Sequence, residues 1–445
     1  MVKKYLLSIA TAMILTLSFT SCDKWIDPEL NIDPDAALEV PNSLLLPSIE
    51  QRMGYTFGNM DVTGVTSMWV QYTFGAARQA AILGSGNITE AGTNNLWNSL
   101  YNGGMMDAKV LIDQAADAPA YSGVAKILMA LYLGQTTDLF GDIPYTEAFL
   151  GLENLNPAYD TQESIYASIQ ALLTAGIADL NAAATSPEND FFYGGDKAQW
   201  IKAAYSLKAR YAIHLSARNA SYATEALGFI ANGMASNDDD LTFWFGTSPT
   251  EQAPIFQFNE QRGDMAQGAY FFDLLEAEND PREFIFESHP DYNDNEVAGI
   301  YYGAPDGPVE IMTYTELMYI KAEAHFANGE DTEAKDALKV ALNSSLDKYR
   351  GLVEAYDDAV DAFITTKEAE IDAATLDLEY IIMAKYAARF LSPETYTDYR
   401  RTGIPALVPT GSTIPKRFPY PTNERLYNES TPSKTIQNEV WWDND

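Results

Sequence analysis

The sequence predicts a mainly α-helical fold, with tetratricopeptide-like helical pairs as a scaffold and a long-loop region carrying a ligand site. Three observations predict it. Apolar residues recur at helical spacing over long stretches, one segment sets small residues where tetratricopeptide helices cross, and long aromatic-rich segments separate the helical blocks. Residues 1–21 precede this fold and 22–42 lead into it, so the helical domain is expected over 43–445.

At the N-terminus, Lys3 and Lys4 are followed by an apolar run from Tyr5 to Phe19 and the small Thr20 and Ser21. That order is a secretory signal peptide. The run is shorter than the roughly 20 residues a membrane span needs. Cys22, the single cysteine of the chain, stands at the expected cleavage point. A lone exposed thiol invites oxidation, whereas an acylated one (palmitate) makes the mature N-terminus a lipid anchor. Cys22 is therefore the expected lipidation site. Residues 22–42 are acidic and broken by two Asp-Pro steps, which oppose helix; they are expected to form an extended tether.

Further on, Ile165, Ile169, Leu172, Leu173, Ile177 and Leu180 fall on one helical face. Asp160, with Glu163 three places on, gives that helix a cap-like start. After Gly194-Gly195, Trp200, Ala204, Leu207, Tyr211 and Leu215 repeat the pattern, so 160–218 forms an antiparallel helical pair, as does 96–139. In AHFANGEDTEAKDALKVAL, residues 324–342, Gly329 permits a tight turn, and Ala334 and Ala341 are small where two helices cross. The segments 54–95, 185–196, 236–269, 287–310 and 402–445 are expected as long loops. Loops this long in a folded chain are functional or disordered, and their aromatics favour order.

Composition narrows the function. Once Lys3 and Lys4 leave with the signal peptide, 26 of the 28 basic side chains face 63 acidic ones, a formal charge of −37. Nucleic acid and anionic membrane faces would be repelled. With one cysteine there is no internal disulfide, and the mature length exceeds one ordinary compact core, so two domains or a stacked architecture is expected. No catalytic constellation emerges: the three histidines, His214, His289 and His325, do not cluster, and no nucleophile elbow, phosphate loop or dinucleotide fingerprint is present. Among so many acids a glycosidase pair can be neither found nor excluded. DYNDNE, residues 291–296, fails as a calcium loop because Glu296 takes the glycine place. No metal and no cofactor is expected. What remains is 7 Trp, 20 Phe and 27 Tyr, and ring faces held on ordered loops suit sugar rings or peptide side chains.

Several ordered strings carry a resemblance: NIDPDAALEVPNSLLLP (31–47), GVAKILMALYLGQTTDLFGDIPYTEA (123–148), FYGGDKAQWIKAAYSLKARYAIHLS (192–216), IMTYTELMYIKAEAHFANG (311–329), YRRTGIPALVP (399–409) and IPKRFPYPTNE (414–424). With Cys22, they make the chain similar to the SusD/RagB outer-membrane nutrient-binding lipoproteins of Bacteroidetes over nearly its whole length. The resemblance implies a helical fold with four tetratricopeptide-like pairs, no catalysis, and an oligosaccharide or, less often, peptide ligand. It implies a SusC-like TonB-dependent transporter as partner, and attachment to the cell-surface side of the outer membrane by the N-terminal lipid. The family's binding residues sit in variable loops, so the candidate ligand contacts rest on position and chemistry: Trp69, Tyr72 and Arg78 after the first helix, Arg262 in NEQRGD, and Tyr301 and Tyr302 in GIYYGAPDG. A surface glycoside hydrolase and a tetratricopeptide-type interaction scaffold are the alternatives.

Overall fold

The computed structural model describes residues 40–287 and 297–443. The chain divides into Met1–Pro41 and a compact unit, Asn42–Asp445, whose architecture follows. Cys22, the leader, nearly all of the tether, His289 and the DYNDNE segment lie outside the described residues.

The unit is built from helices. α1 (Asn42–Phe57) buries Leu45, Leu46, Ile49, Met53 and Phe57 along one face. A π-turn then leads into α2 (Val65–Trp69), β1 (Thr73–Gly75) and α3 (Arg78–Gly84). α4 (Asn94–Leu100) continues through a second π-turn, Tyr101–Met105, into α5 (Met106–Gln114). α6 (Pro119–Phe140) has proline in its first turn, where the missing N–H costs nothing, and ends at Gly141 with φ +78°. Of its 22 residues only Pro119, Tyr121, Lys126 and Gln135 escape full burial. A helix apolar on every side belongs at the centre of a core, and α6 is packed there.

α7 (Gln162–Ala182) crosses α6 closely, because both helices carry glycine at the crossing. A Cβ on Gly176 would lie 2.9 Å from the Gly123 carbonyl oxygen, and one on Gly123 would lie 2.7 Å from Leu180 Cγ. Backbone cannot retreat as a side chain can, so Gly176→Ala should cost about 1–3 kcal/mol in urea unfolding. Gly228→Ala, in an open helical position, should be neutral or stabilising by up to about 1 kcal/mol. Equal effects at the two sites would show that the crossing tolerates a methyl group.

α8 (Lys197–Ile213) and α9 (Tyr222–Ile230) complete the second block. Then come β2 (Leu241–Phe243), α10 (Pro254–Arg262), β3 (Met265–Gln267), α11 (Ala269–Glu278), α12 (Glu283–Phe286), α13 (Gly299–Tyr302) and β4 (Val309–Met312). The predicted tetratricopeptide-like pair is α14 (Tyr314–Ala327) and α15 (Asp331–Asp347), joined at Gly329 with φ +78°. Ala334 and Ala341 are buried at that crossing. α16 (Glu354–Ala373), α17 (Leu378–Ala388), α18 (Glu394–Thr402) and α19 (Thr422–Tyr427) follow. Two small antiparallel sheets join distant segments: β1 pairs with β3 and β2 with β4.

The expected loops 54–95, 236–269 and 402–445 therefore contain α2, β1, α3, β2, α10, β3 and α19. These elements run from 3 to 9 residues. A face cannot repeat over so few residues, so periodicity does not announce them.

The C-terminal segment returns to α6. Phe418 N donates to Leu139 O at 2.7 Å, Tyr420 Oη to Asp142 O at 2.7 Å, and Trp442 Nε1 to Asp138 Oδ1 at 2.9 Å. Trp442 itself is fully buried.

A buried ionic network links the helices. Arg210 Nε and Nη2 donate to the two oxygens of Glu316 at 2.6 and 2.7 Å. Arg389 meets Glu316 at 3.0 Å and Glu310 at 3.2 Å, while Lys348 bridges Glu310 and Asp240 at 2.6 and 3.1 Å. Burial alone would raise the Glu394 carboxyl, but His214 and Arg210 outweigh it and hold the group below the usual carboxylate range. Lys385 and Arg401 do the same for Asp398.

Candidate functional site

The six predicted contacts separate into core residues and surface residues. Trp69 ends α2, and its ring meets Tyr396 and Phe418 at 5.2 Å each. Its indole N–H donates to Leu83 O at 2.8 Å. Tyr72 stacks on Tyr386 at 4.6 Å and donates to the Tyr386 carbonyl oxygen at 2.6 Å. Trp69 is 2% exposed and Tyr72 not at all, so neither offers a ring face to a ligand. Both were expected on a loop. They are core residues instead: α2 turns Trp69 inward, and the turn after it, closed by Tyr72 N on Ser67 O at 2.9 Å, does the same for Tyr72. Tyr302 is also buried, with its hydroxyl 3.1 Å from both Glu310 Oε2 and Tyr349 Oη.

Tyr301 stays at the surface, half-buried. Its ring meets Trp244 edge-on at 6.1 Å and Tyr349 at 5.1 Å. Burial and the neighbouring Glu310 push its phenol up, so it stays neutral and able to donate. Trp244 is 58% exposed. The sequence did hold a signal for Trp244, because in LTFWF the rings alternate. Phe243 and Phe245 enter a small cluster with Ala253 and Phe256, while Trp244 faces outward.

The two predicted arginines are brought together. Pairing of β1 with β3 sets Ala76 N and Ala77 N on Asp264 O at 2.8 and 3.1 Å. Arg78 then pairs with the Asp264 carboxylate and also donates to Arg262 O, while Arg262 Nε lies 3.4 Å from Asp264 Oδ2. Asp264 is fully buried, but the two side chains remain 61% and 45% exposed. Arg78 adopts φ +46°, a conformation that non-glycine residues hold only when their surroundings enforce it. Two guanidiniums on one carboxylate leave a net positive spot in an acidic chain, with N–H groups free of the pair. Phe74 is exposed on β1, and Phe258 lies under Arg262 at 5.7 Å.

α10 connects the two halves. Its start is fixed by Ala253 N donating to Pro305 O at 2.7 Å, just beyond Tyr301, and its last residue is Arg262. Nine helical residues span about 14 Å, so α10 leads from the Ala253–Pro305 hydrogen bond, flanked in sequence by Trp244 and Tyr301, to the arginine pair, and these residues make up the ridge. Sequence reasoning found Arg78, Arg262 and Tyr301 of this ridge but missed Trp244, Phe74 and Phe258.

The described residues hold no cluster of three or more His, Cys, Asp or Glu placed for a metal ion, and no helix long and apolar enough to cross a membrane. Tyr166, His214, Asp138 and Glu394 form a hydrogen-bonded chain, with Tyr166 Oη 2.8 Å from His214 Nδ1 and His214 Nε2 2.5 Å from Glu394 Oε1. His214 is fully buried, so this chain braces helices.

Fold and ridge together define a helical-repeat protein whose loop side carries an exposed aromatic and cationic surface. A family model described as starch-binding, associating with outer membrane, matches residues 34–421, and the chain belongs to this SusD-like family. No curated protein is significantly similar to it. Among solved structures, a SusD/RagB family protein from Bacteroides thetaiotaomicron is 23% identical, with a TM-score of 0.74 over 91% of this chain and 99% of that one. A SusD homologue from Bacteroides fragilis is 22% identical, with a TM-score of 0.75 over 91% and 99%. A chitin-binding SusD homologue from Flavobacterium johnsoniae is 22% identical, with a TM-score of 0.74 over 91% and 98%. These likenesses establish the shared fold.

Proposed function

We propose that the chain is a lipid-anchored, cell-surface nutrient-binding protein. It takes an oligosaccharide on the Trp244–Arg262 ridge and passes it to a TonB-dependent outer-membrane transporter. One observation carries this reading: an exposed indole meeting a half-buried tyrosine, and two half-exposed guanidiniums gathered on one buried carboxylate, stand on a protein of the SusD-like family. Flat rings accept the apolar face of a sugar, and guanidinium N–H groups donate to its hydroxyls. The starch-binding description of the family and the chitin-binding neighbour support a glycan over a peptide.

Trp244→Ala should weaken oligosaccharide binding by about 2 kcal/mol, roughly thirtyfold, with an unchanged melting temperature. Calorimetry on the purified protein checks this, and product analysis of the same mixtures reports any hydrolysis. Undiminished affinity would remove the ridge, and shortened products would favour the glycosidase.

Anchoring is assigned to Cys22. Cys22→Ser should leave the membrane fraction or stay unprocessed, and wild-type partitioning into detergent would end the lipoprotein assignment. The transporter should co-purify in equal amounts on gentle extraction.

A further inference from the structure

A second concave surface lies away from the ridge residues. A groove of about 680 Å³ opens between the continuous helix of α4, π-turn and α5, the segment 144–157 that follows α6, and the start of α19. Its floor carries two rows at helical spacing. Asn94, Trp97 and Tyr101 form one, and Asn95, Asn98 and Asn102 the other; residues three and four apart share a helix face.

The first row builds a column of rings. Trp97 stacks on Tyr101 at 4.7 Å and 29°, and Tyr101 on Phe149 at 6.2 Å and 30°. Phe149 ends the column. Its backbone holds φ +65°, a conformation a bulky residue keeps only where its surroundings impose it. That conformation keeps its half-buried ring at the groove. In the second row, Asn95, Asn98 and Asn102 are exposed, and their amides form no hydrogen bond with any described residue. Each amide offers both a donor and an acceptor, the same pair that a sugar hydroxyl or acetamido group offers in return.

Charge narrows the ligand further. The groove's ionisable lining is Tyr101 and Glu424. Burial pushes the Tyr101 phenol up, and its hydroxyl donates to Pro144 O at 2.8 Å. Glu424 receives the Tyr159 hydroxyl at 2.8 Å. With no cation in the lining, an acidic polymer finds no partner here. Leu150, Met106 and three prolines also line the groove, so an apolar peptide is the competing ligand that the test includes.

We propose that this groove is a second carbohydrate site that binds a neutral oligosaccharide, with a sugar ring against Phe149 and hydroxyls on Asn95, Asn98 and Asn102. The inference rests on the proposed role as a glycan binder, and it adds a site that shares no residue with the ridge.

The test uses the full chain with N-acetylchitohexaose, cellohexaose and xylohexaose as probes, read by calorimetry and hydrogen–deuterium exchange. At least one probe should protect 94–105 and 144–157. The double variant Asn98→Ala/Asn102→Ala should lose that protection and about tenfold in affinity at this site, whereas Trp244→Ala should keep it. The proposal is overturned if no probe protects these segments, or if protection survives the double variant. Loss of binding in Trp244→Ala without groove protection leaves the ridge and removes the second site; groove protection with no effect of Trp244→Ala does the reverse. Protection by a leucine-rich peptide and by none of the sugars overturns the ligand class.

Discussion

Glu316→Ala should lower the free energy of unfolding by about 3–5 kcal/mol. Glu316 is fully buried on α14, accepts two hydrogen bonds from Arg210 and pairs with Arg389. Removing it leaves two buried guanidiniums sharing one lost partner. Arg210 keeps Ile311 O at 2.6 Å and Glu394 at 3.7 Å, and Arg389 keeps Glu310, so some compensation survives. The effect is therefore bounded below complete unfolding. Urea denaturation followed by far-UV circular dichroism measures it. A loss under about 1 kcal/mol would mean that water enters the network as soon as it opens. Glu316→Gln keeps an acceptor for one guanidinium and should fall between the two.

Trp69→Ala should cost about 3–5 kcal/mol by the same measurement, while the folded fraction binds sugar normally at low temperature. The ring meets Tyr396 and Phe418 edge-on at 5.2 Å each, and removing it leaves an indole-sized hole between them. The contrast with Trp244→Ala is the decisive part. One tryptophan should govern stability and leave binding intact; the other should do the opposite. A binding defect in Trp69→Ala at full stability would restore that residue to the ligand site.

These two tryptophans show how far the sequence was legible. α7, α8 and the α14–α15 pair were readable because a buried face repeats through several turns and Gly329 marks a turn. Trp69 and Tyr72 were not, because residue type reports ring chemistry and says nothing of which way a short helix turns it. Arg78 and Arg262 stand 184 positions apart. Only the pairing of β1 with β3 sets both on Asp264, and no local pattern encodes a contact of that separation. The groove beside α4 was half visible: Trp97 and Tyr101 fall within the helical pair expected over 96–139, but the ring that ends the column comes from a segment without periodicity.

The return of the C-terminal segment to α6 constrains how the chain folds. Asp138 and Trp442 are 304 positions apart, so the central helix is synthesised long before its cover. Until the cover exists, Leu139 and Phe140 lack the contacts that Phe418 supplies. Contacts so distant along the chain slow folding and lengthen that interval. The core around α6 is therefore expected to close only after the C-terminal segment has been made. A truncation that removes residues 415–443 should yield an aggregating or proteolysed product even though every tetratricopeptide-like pair is still encoded.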